Sequence, residues 1–377
     1  MKFLPQSLLR AAAVTLCAAG IVSFVSCKHS GGKVLEVAYV SGVQVNLRDR
    51  VAAVYTKAGV VKNGDRVEVF DHDRRFSKVR TSTGQMGWIE QRYLVSQEVF
   101  DELQKLTADN ANDPMQAQGV TRNDTNLHVE PGRETEHLYQ ISAGEKLALL
   151  KRGTAEKVTA APPSRNMSAP SKPEAKPEEK PEEKSAVGSG EKSEDKAVAG
   201  GEPPHSPLED WWLVRDSHGR VGWVLARMID IDMPLEVAQY AEGQRIVAFF
   251  VLNQVEDDDK KVPQYLTVLT EPRDGLPFDF NQIRVFTWNV RRHRYETAYR
   301  ERMEGMLPVT VSQEDFGKEG ILPVFAIRVL DENGKLSERK YKLDTPIVRR
   351  VLAPGEEPGH TVKTRRTASK KTGRKKR

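Results

Sequence analysis

The chain has 377 residues, of which 58 are Lys or Arg and 53 are Asp or Glu, and its formal net charge is +5. Its only cysteines are Cys17 and Cys27, so the chain beyond position 27 has neither a disulfide nor a cysteine nucleophile, which excludes thiol hydrolases. Residues 361–377 contain nine Lys or Arg and no acidic residue. Without these and the two basic residues near the N-terminus, the net charge of the rest of the chain is −6. This charge excludes binding of polyanions by the rest of the chain through net charge alone.

The N-terminal residues have the layout of an export signal. Two basic residues precede an uncharged apolar stretch at 11–25, which is short for a membrane-spanning helix. The sequence Phe24-Val25-Ser26-Cys27 that follows resembles a bacterial lipobox. The resemblance implies a lipoprotein signal peptide at 1–26, lipidation of Cys27, and a membrane-anchored protein of the bacterial cell envelope that faces the periplasm or the exterior. The alternatives are a plain secretory signal and an uncleaved anchor.

Two constant offsets relate the first third of the chain to later residues, which indicates an internal duplication. The first part of the repeat recurs at an offset of 80 and the second part at an offset of 135. One duplication and one insertion explain both offsets. The matching residues are Asn46-Leu47 with Asn126-Leu127, 64–69 with 144–149, Phe76 with Trp211, and Gly87-Trp88 with Gly222-Trp223.

We place the insert at 151–209, inside the second copy. It contains the run Pro-Glu-Ala-Lys-Pro-Glu-Glu-Lys-Pro-Glu-Glu-Lys at 173–184 and almost no large apolar side chain. Such a segment cannot bury enough apolar surface to offset the entropy lost on ordering. We therefore expect a disordered and semi-extended loop.

Without the insert, each copy consists of short alternating segments separated by Gly turns, which predicts a small antiparallel barrel. The ranges 76–94 and 211–229 share one order of features. Each begins with an aromatic residue, continues with a Gly turn, and then has Gly-Trp followed by Ile or Val. This order resembles the bacterial Src-homology-3 family. The resemblance implies two barrels of that type, at 35–97 and 118–233, and binding of cell-wall peptides or other proteins.

Five aromatic residues are the candidate ligand-binding residues of the two copies. Trp88 and Trp223 can each fill a barrel core or offer a ring face to a ligand, and we favour the core role. Tyr55, Tyr93 and Trp212 are expected to be partly exposed, because their counterparts in the other copy are not aromatic.

The rest of the chain is predicted to be a helical connector, a third β-rich domain and a basic tail. The connector is placed at 98–117. An amphipathic helix at 96–108, with Val99, Leu103 and Leu106 on one face, leads into it from the first barrel and forms its first part. The third domain, at 235–353, is expected to be an antiparallel β-sandwich, so the fold class is all-β. Its predicted strands lie at 245–255, 264–270, 282–290, 294–301, 307–312, 322–330 and 336–343.

The tail at 354–377 is either a solvated end or an electrostatic contact with anionic lipid or wall polymer. Export argues against a nucleic-acid partner.

Catalytic motifs are absent from the sequence. The eight histidines do not form a His-Glu-x-x-His zinc motif, and there is no Gly-x-Ser-x-Gly nucleophile elbow. The run Asp257-Asp258-Asp259 reads as a solvated turn, with a weak calcium site as the alternative. We therefore expect no metal, no cofactor and no enzymatic activity, and the hypothesis is an envelope adaptor that binds peptidoglycan or a protein. The alternative is a carboxylate-dependent cell-wall hydrolase that the barrels target.

Overall fold

The computed structural model describes residues 33–158, 208–331 and 333–352. The predicted signal peptide, Cys27, most of the predicted insert and the basic tail therefore lie outside the described residues. The described residues form three seven-stranded antiparallel sheets, so the prediction of an all-β fold is confirmed. None of their helices is long and apolar enough to cross a membrane.

The first sheet is built from seven short strands in the order β3-β2-β6-β5-β4-β1-β7. Its core forms because alternate residues along each strand are apolar and point inward, as Val67, Val69 and Val79 do. The strands are β1 (Glu36–Val40), β2 (Gln44–Arg48), β3 (Lys57–Lys62), β4 (Arg66–Asp73), β5 (Phe76–Thr81), β6 (Met86–Glu90) and β7 (Leu94–Ser96).

The second sheet has the same strand order as the first, β10-β9-β13-β12-β11-β8-β14. Even the irregularity in pairing recurs, between Val69 and Asp71 in the first sheet and between Leu149 and Lys151 in the second. The strands on either side of 159–207 pair with each other, from Ala148 opposite Arg215 to Glu156 opposite Leu208. The strands are β8 (Ala117–Thr121), β9 (Thr125–His128), β10 (His137–Ile141), β11 (Lys146–Glu156), β12 (Leu208–Arg215), β13 (Val221–Leu225) and β14 (Ile229–Ile231).

Helix α1 (Gln97–Asp109) connects the first two sheets and packs against both. Its apolar face buries Val99 and Leu103. Phe100 stacks on Tyr39 of the first sheet, with the ring centroids 4.1 Å apart. On the other side, the Thr107 hydroxyl accepts a hydrogen bond from the backbone N–H of Val221, at 3.0 Å.

The third sheet is a meander in which each strand pairs with the next along the chain. Strand β15 also contacts β19, and β18 contacts β21, so the sheet folds back on itself around a buried core. A short helix, α2 (Leu235–Ala238), precedes it. The strands are β15 (Arg245–Asp257), β16 (Lys260–Thr270), β17 (Phe280–Asn289), β18 (Arg294–Asp315), β19 (Ile321–Leu330), β20 (Leu336–Asp344) and β21 (Ile347–Val351).

Two strand predictions in the third sheet are wrong. The strands predicted at 294–301 and 307–312 are one strand, β18, whose pairing continues through Gly305. That glycine is needed for close approach and not for a turn, because a Cβ there would lie 2.6 Å from the carbonyl oxygen of Arg328. Strand β21 was not predicted, because Arg349-Arg350 interrupts its apolar alternation.

Buried apolar side chains form one continuous cluster from Tyr39 of the first sheet, through the second sheet, to Tyr341 of the third. A buried side-chain contact joins the last two sheets: the amide oxygen of Gln116 accepts the backbone N–H of Val309, at 2.7 Å. The second and third sheets therefore pack directly on each other.

Candidate functional site

The candidate site is the outer face of the first sheet, where strands β2, β6 and β5 lie side by side. Leu47, Gly87 and Ile89 take the inward positions on β2 and β6. The residues next to them in sequence point outward, and Arg48 and Trp88 are directly opposite each other. Lys78 lies opposite Trp88 on its other side. These three side chains form one row across the outer face.

The expectation that Trp88 fills the core is therefore wrong. Trp88 is half-buried, because Gly87 and Ile89 on either side of it occupy the inward positions. Glycine is required at position 87, since a Cβ there would lie 2.7 Å from the Cβ of Leu47. The glycine of the Gly-Trp pair thus packs against the core, and the indole lies on the outer face of the sheet.

Arg48 is held in the middle of this face by two rings and a carboxylate. Its guanidinium lies 4.3 Å from the ring centroid of Tyr55 and 4.8 Å from that of Phe76, which are cation–π contacts. Its Nη2 also donates to Glu90 Oε1, at 2.9 Å. Tyr55 is 38% exposed, as expected. The face therefore presents aromatic rings around a fixed guanidinium.

A groove runs beside these residues, between the β2–β3 loop at 49–56 and the β4–β5 turn. It has a volume of about 470 Å³ and is open to solvent. Arg74 and Arg75 are exposed in the turn, and among the described residues neither has an ion pair. The lining residues are Arg48, Val51, Ala52, Ala53, Arg74, Arg75 and Phe76.

The loop wall of the groove is held by Asp49. Its carboxylate accepts the backbone N–H of Thr56, at 2.8 Å, and two hydrogen bonds from Arg50. The hydrogen bond from Arg50 is the main reason that the pKa of Asp49 lies below its usual value. A small apolar wall opposite two guanidinium groups without ion pairs suits a ligand that carries both a carboxylate and an apolar part.

The equivalent face of the second sheet is covered. Leu213 is 1% exposed, whereas its counterpart Lys78 is half-buried. Trp211 and its counterpart Phe76 are both buried, at 2% and 4% exposed. Leu106 of helix α1 packs against the buried cluster that includes Leu213. Arg133 also forms an ion pair with Glu209, with Nη2 and Oε1 2.5 Å apart.

Three further candidates were assigned from sequence, and the structure places none of them in the groove. Trp223 is half-buried and packs against the buried cluster of Leu150, Leu213 and Val221, so it lies at the edge of a core rather than in its centre. Trp212 is only 5% exposed, which corrects the expectation that it is accessible; the third sheet covers it. Tyr93 is half-buried against the first-sheet core near Gly42.

Sequence reasoning missed Arg48, Phe76 and the two turn arginines. A signal for the first two was present. Strand alternation places Phe76 on the same side as Trp88, and Arg48 follows the inward Leu47. No sequence pattern indicated that Arg74 and Arg75 belong to a site, because they line a groove only through their position opposite the β2–β3 loop.

Residues 42–95 match the family model of the bacterial SH3 domain. The first sheet contains a bacterial SH3 domain. No curated protein matches the chain. The solved structures that are similar include an NlpC/P60 family protein from Bacillus cereus ATCC 10987, at 11% identity over 82% of this chain and 95% of that one, with a TM-score of 0.21.

Two proteins from Trichomonas vaginalis are also similar. NlpC2 is 10% identical over 84% of this chain and 95% of its own, and NlpC1 is 9% identical over 85% and 92%. Their TM-scores are both 0.15. Likenesses at this level give no basis for transferring an arrangement of domains or an activity beyond the SH3 domain.

The described carboxylates that lie deepest in the third sheet are already bonded. Asp257 accepts hydrogen bonds from Trp288 Nε1 and His293 Nδ1, both at 2.7 Å, and the bond from His293 is the main cause of its lowered pKa. Asp258 lies in a turn with a φ of 52° and is exposed, as the solvated-turn interpretation expects. Both bonds end on Oδ2, so this oxygen of Asp257 is used within its own domain.

Glu145, Asp216 and His218 form the one group of three potential metal ligands that the described residues contain. Both oxygens of Asp216 are already used: Oδ1 accepts the backbone N–H groups of His218 and Arg220, and Oδ2 accepts Nε of Arg220 at 2.6 Å. The group therefore reads as a turn that Asp216 stabilises.

His128, the counterpart of Arg48, should make the stability of the second sheet depend on pH. Burial, with a smaller effect from His137, lowers the pKa of His128 to about 4. The unfolded chain takes up this proton near the ordinary value of about 6.5, so stability should fall as the pH decreases from 6.5 to 4. After allowance for solvent access we expect a loss of about 1–2 kcal/mol. Urea unfolding at both pH values measures it, and a His128→Phe variant that keeps the full pH dependence would contradict it.

Proposed function

We propose that this chain is a non-enzymatic binding or adaptor protein of the bacterial cell envelope, tethered to a membrane through a lipid on Cys27. Its ligand, a peptidoglycan fragment or a protein segment, occupies the groove of the bacterial SH3 domain. The observation that carries this proposal is the open groove beside Arg48 in the first sheet, together with the replacement of the half-buried Lys78 by the buried Leu213 in the second.

The groove has the residue types that contribute most to binding energy in protein interfaces. Trp, Tyr and Arg are enriched among residues whose truncation costs at least about 2 kcal/mol. Arg48 lines the groove, and Trp88 and Tyr55 lie beside it next to Arg48. Arg48 is preorganised by its contacts with two rings and with Glu90. Arg74 and Arg75 add two unpaired charges that favour a ligand with carboxylate groups, as wall peptides and acidic protein segments have.

The second sheet, in this proposal, is a second SH3 domain that has become a scaffold. Its strand order and its pairing irregularity match those of the first sheet. Part of its outer face, around Leu213, is apolar and packs against Leu106 of helix α1, and the same helix contacts the first SH3 domain. In this proposal a single duplication produced two barrels, of which the first binds the ligand and the second supports the first.

The envelope location depends on the sequence. The lipobox-like residues 24–27 favour a membrane anchor, and the basic residues at 361–377 favour a second contact with anionic lipid or wall polymer. The alternative function, a carboxylate-dependent wall hydrolase, requires an accessible carboxylate pair. Asp257 and Asp279, the buried carboxylates in the described part of the third domain, are bonded to neighbours.

Truncating the groove aromatics should weaken binding to purified wall sacculi. We expect Trp88→Ala and Tyr55→Ala each to raise the Kd of the protein for sacculi by at least about tenfold. The reason is that each variant lacks a ring beside Arg48. Sedimentation of the protein with sacculi measures the Kd, and soluble fragments are followed in the same samples.

The matched control is Thr135→Ala, the counterpart of Tyr55 in the second sheet, which should bind like the wild type. If the groove variants and the wild type bind a protein partner or sacculi equally well, the groove is not the site. Release of soluble wall fragments by the wild type would overturn the adaptor proposal in favour of the hydrolase.

A further inference from the structure

A second cavity, unrelated to the SH3 groove, lies where the second sheet meets the third. Its volume is about 440 Å³, within the range of small-molecule sites, and such sites form preferentially between domains. The second sheet supplies one wall, and the linker to α2 together with strand β15 supplies the other. The lining residues include Trp212, Ile229, Ile231, Met233, Ile246 and Val247 on the apolar side.

The charged side of the cavity is an ion-pair chain that crosses the interface. Asp210 is fully buried and bonds to both Arg152 and Arg245, the latter at 3.0 Å. Arg245 continues to Asp274, at 2.8 Å. These pairs fix two walls of the cavity to each other, so the cavity is preformed.

The charges that line the cavity do not balance. Four arginines and three aspartates face it. Each aspartate has an arginine partner, including Asp230, which pairs with Arg122. Arg227 is the fourth arginine, it is exposed, and among the described residues it makes no ion pair; its charge acts only at longer range on Glu209, which is already paired with Arg133. The cavity thus has apolar walls and one surplus positive charge.

We propose that this cavity binds a small amphipathic anion, a monocarboxylate with an aromatic or branched apolar body. The apolar body lies against Trp212 and Ile246, and the carboxylate meets Arg227. A cationic ligand is disfavoured, because every aspartate in the cavity is already paired. The site is separate from the SH3 groove, so it gives the protein a second ligand whether or not the groove binds the wall.

The test is a fluorine NMR titration of the full-length protein with para-trifluoromethylbenzoate. Two probes of the same shape accompany it: the neutral para-trifluoromethylbenzyl alcohol and the cationic para-trifluoromethylbenzylamine. For a probe of this size we expect saturable binding of the benzoate with a Kd on the order of 1 mM. The amine should bind at least about tenfold more weakly than the benzoate.

Variants locate the binding. Arg227→Gln should weaken the benzoate by about threefold or more and Arg227→Glu by at least about tenfold, without changing the alcohol. Ala226→Leu, which fills part of the cavity, should weaken both probes. Arg291→Glu, an exposed arginine in a turn of the third sheet outside the cavity, is the charge-matched control and should change neither.

The proposal is overturned if the benzoate gives no saturable shift, or if the amine binds as tightly. It is also overturned if Arg227→Glu binds the benzoate like the wild type while its thermal unfolding is unchanged. Because the Trp88→Ala variant leaves this cavity intact, it should bind the benzoate normally, so failure of the groove proposal and failure of this one are separate results.

Discussion

Replacing Arg152 with Met should lower the free energy of unfolding by about 3–5 kcal/mol, the range measured when one partner of a buried ion pair is removed. Arg152 is 5% exposed and pairs with Asp210, whose side chain is fully buried. Its Nη1 also donates to the backbone oxygen of Asp279, at 2.5 Å. Methionine keeps the length of the side chain but leaves a buried carboxylate with only Arg245, which is 36% exposed, as its charged partner.

The loss should shrink as the pH falls. Burial raises the pKa of Asp279 above its usual value, and the charge of Arg152 works against that rise. Without Arg152 the pKa of Asp279 should rise further, and a carboxylate whose folded pKa is raised adds stability as the pH decreases. The difference between Arg152→Met and the wild type should therefore be largest near pH 7 and smaller near pH 5.

Denaturant unfolding at the two pH values measures both effects. The control is Arg122→Met, which removes an exposed pair: the side chains of Arg122 and Asp230 are 54% and 58% exposed, so the loss should not exceed about 1 kcal/mol. Equal losses for Arg152→Met and Arg122→Met would show that the interface between the second and third sheets does not depend on the buried pair.

The predicted relation between the first two sheets agrees with their shared strand order. The offsets of 80 and 135 correspond to strand registers, down to the irregularity after Val69 and after Leu149. The third sheet was predicted less well. Its errors came from a glycine that serves close packing at position 305 and from two arginines in an edge strand.

The candidate site was predicted only in part, for two physical reasons. The side of the sheet on which a residue lies follows from period-two alternation, so the outward position of Trp88 was available from Gly87 and Ile89 on either side of it. Whether an outward residue stays exposed depends on what packs over it. Helix α1 covers one face, and nothing in the sequence of the second copy alone shows this.

Trp212 was expected to be exposed but is buried where the second sheet meets the third. We expect its replacement to have a large effect on stability. Trp212→Ala should lower the free energy of unfolding by about 3–5 kcal/mol, the cost of truncating a buried large aromatic side chain. The residue is 5% exposed and belongs to the cluster that joins the second sheet to the third. Part of the cost should appear as a weaker link between the two sheets, because the cavity beside Trp212 enlarges.

Tyr55→Ala is the matched control, since Tyr55 also lies in a repeat position with no aromatic counterpart but is 38% exposed. Its loss should not exceed about 1 kcal/mol, because the side chain is partly in water and belongs to none of the buried apolar clusters of the described residues. Calorimetry measures both values, and hydrogen exchange on strand β15 shows whether the third sheet loosens in Trp212→Ala. If Trp212→Ala loses no more stability than Tyr55→Ala, the third sheet does not cover Trp212 in solution, and this residue returns to the set of accessible ligand-binding candidates.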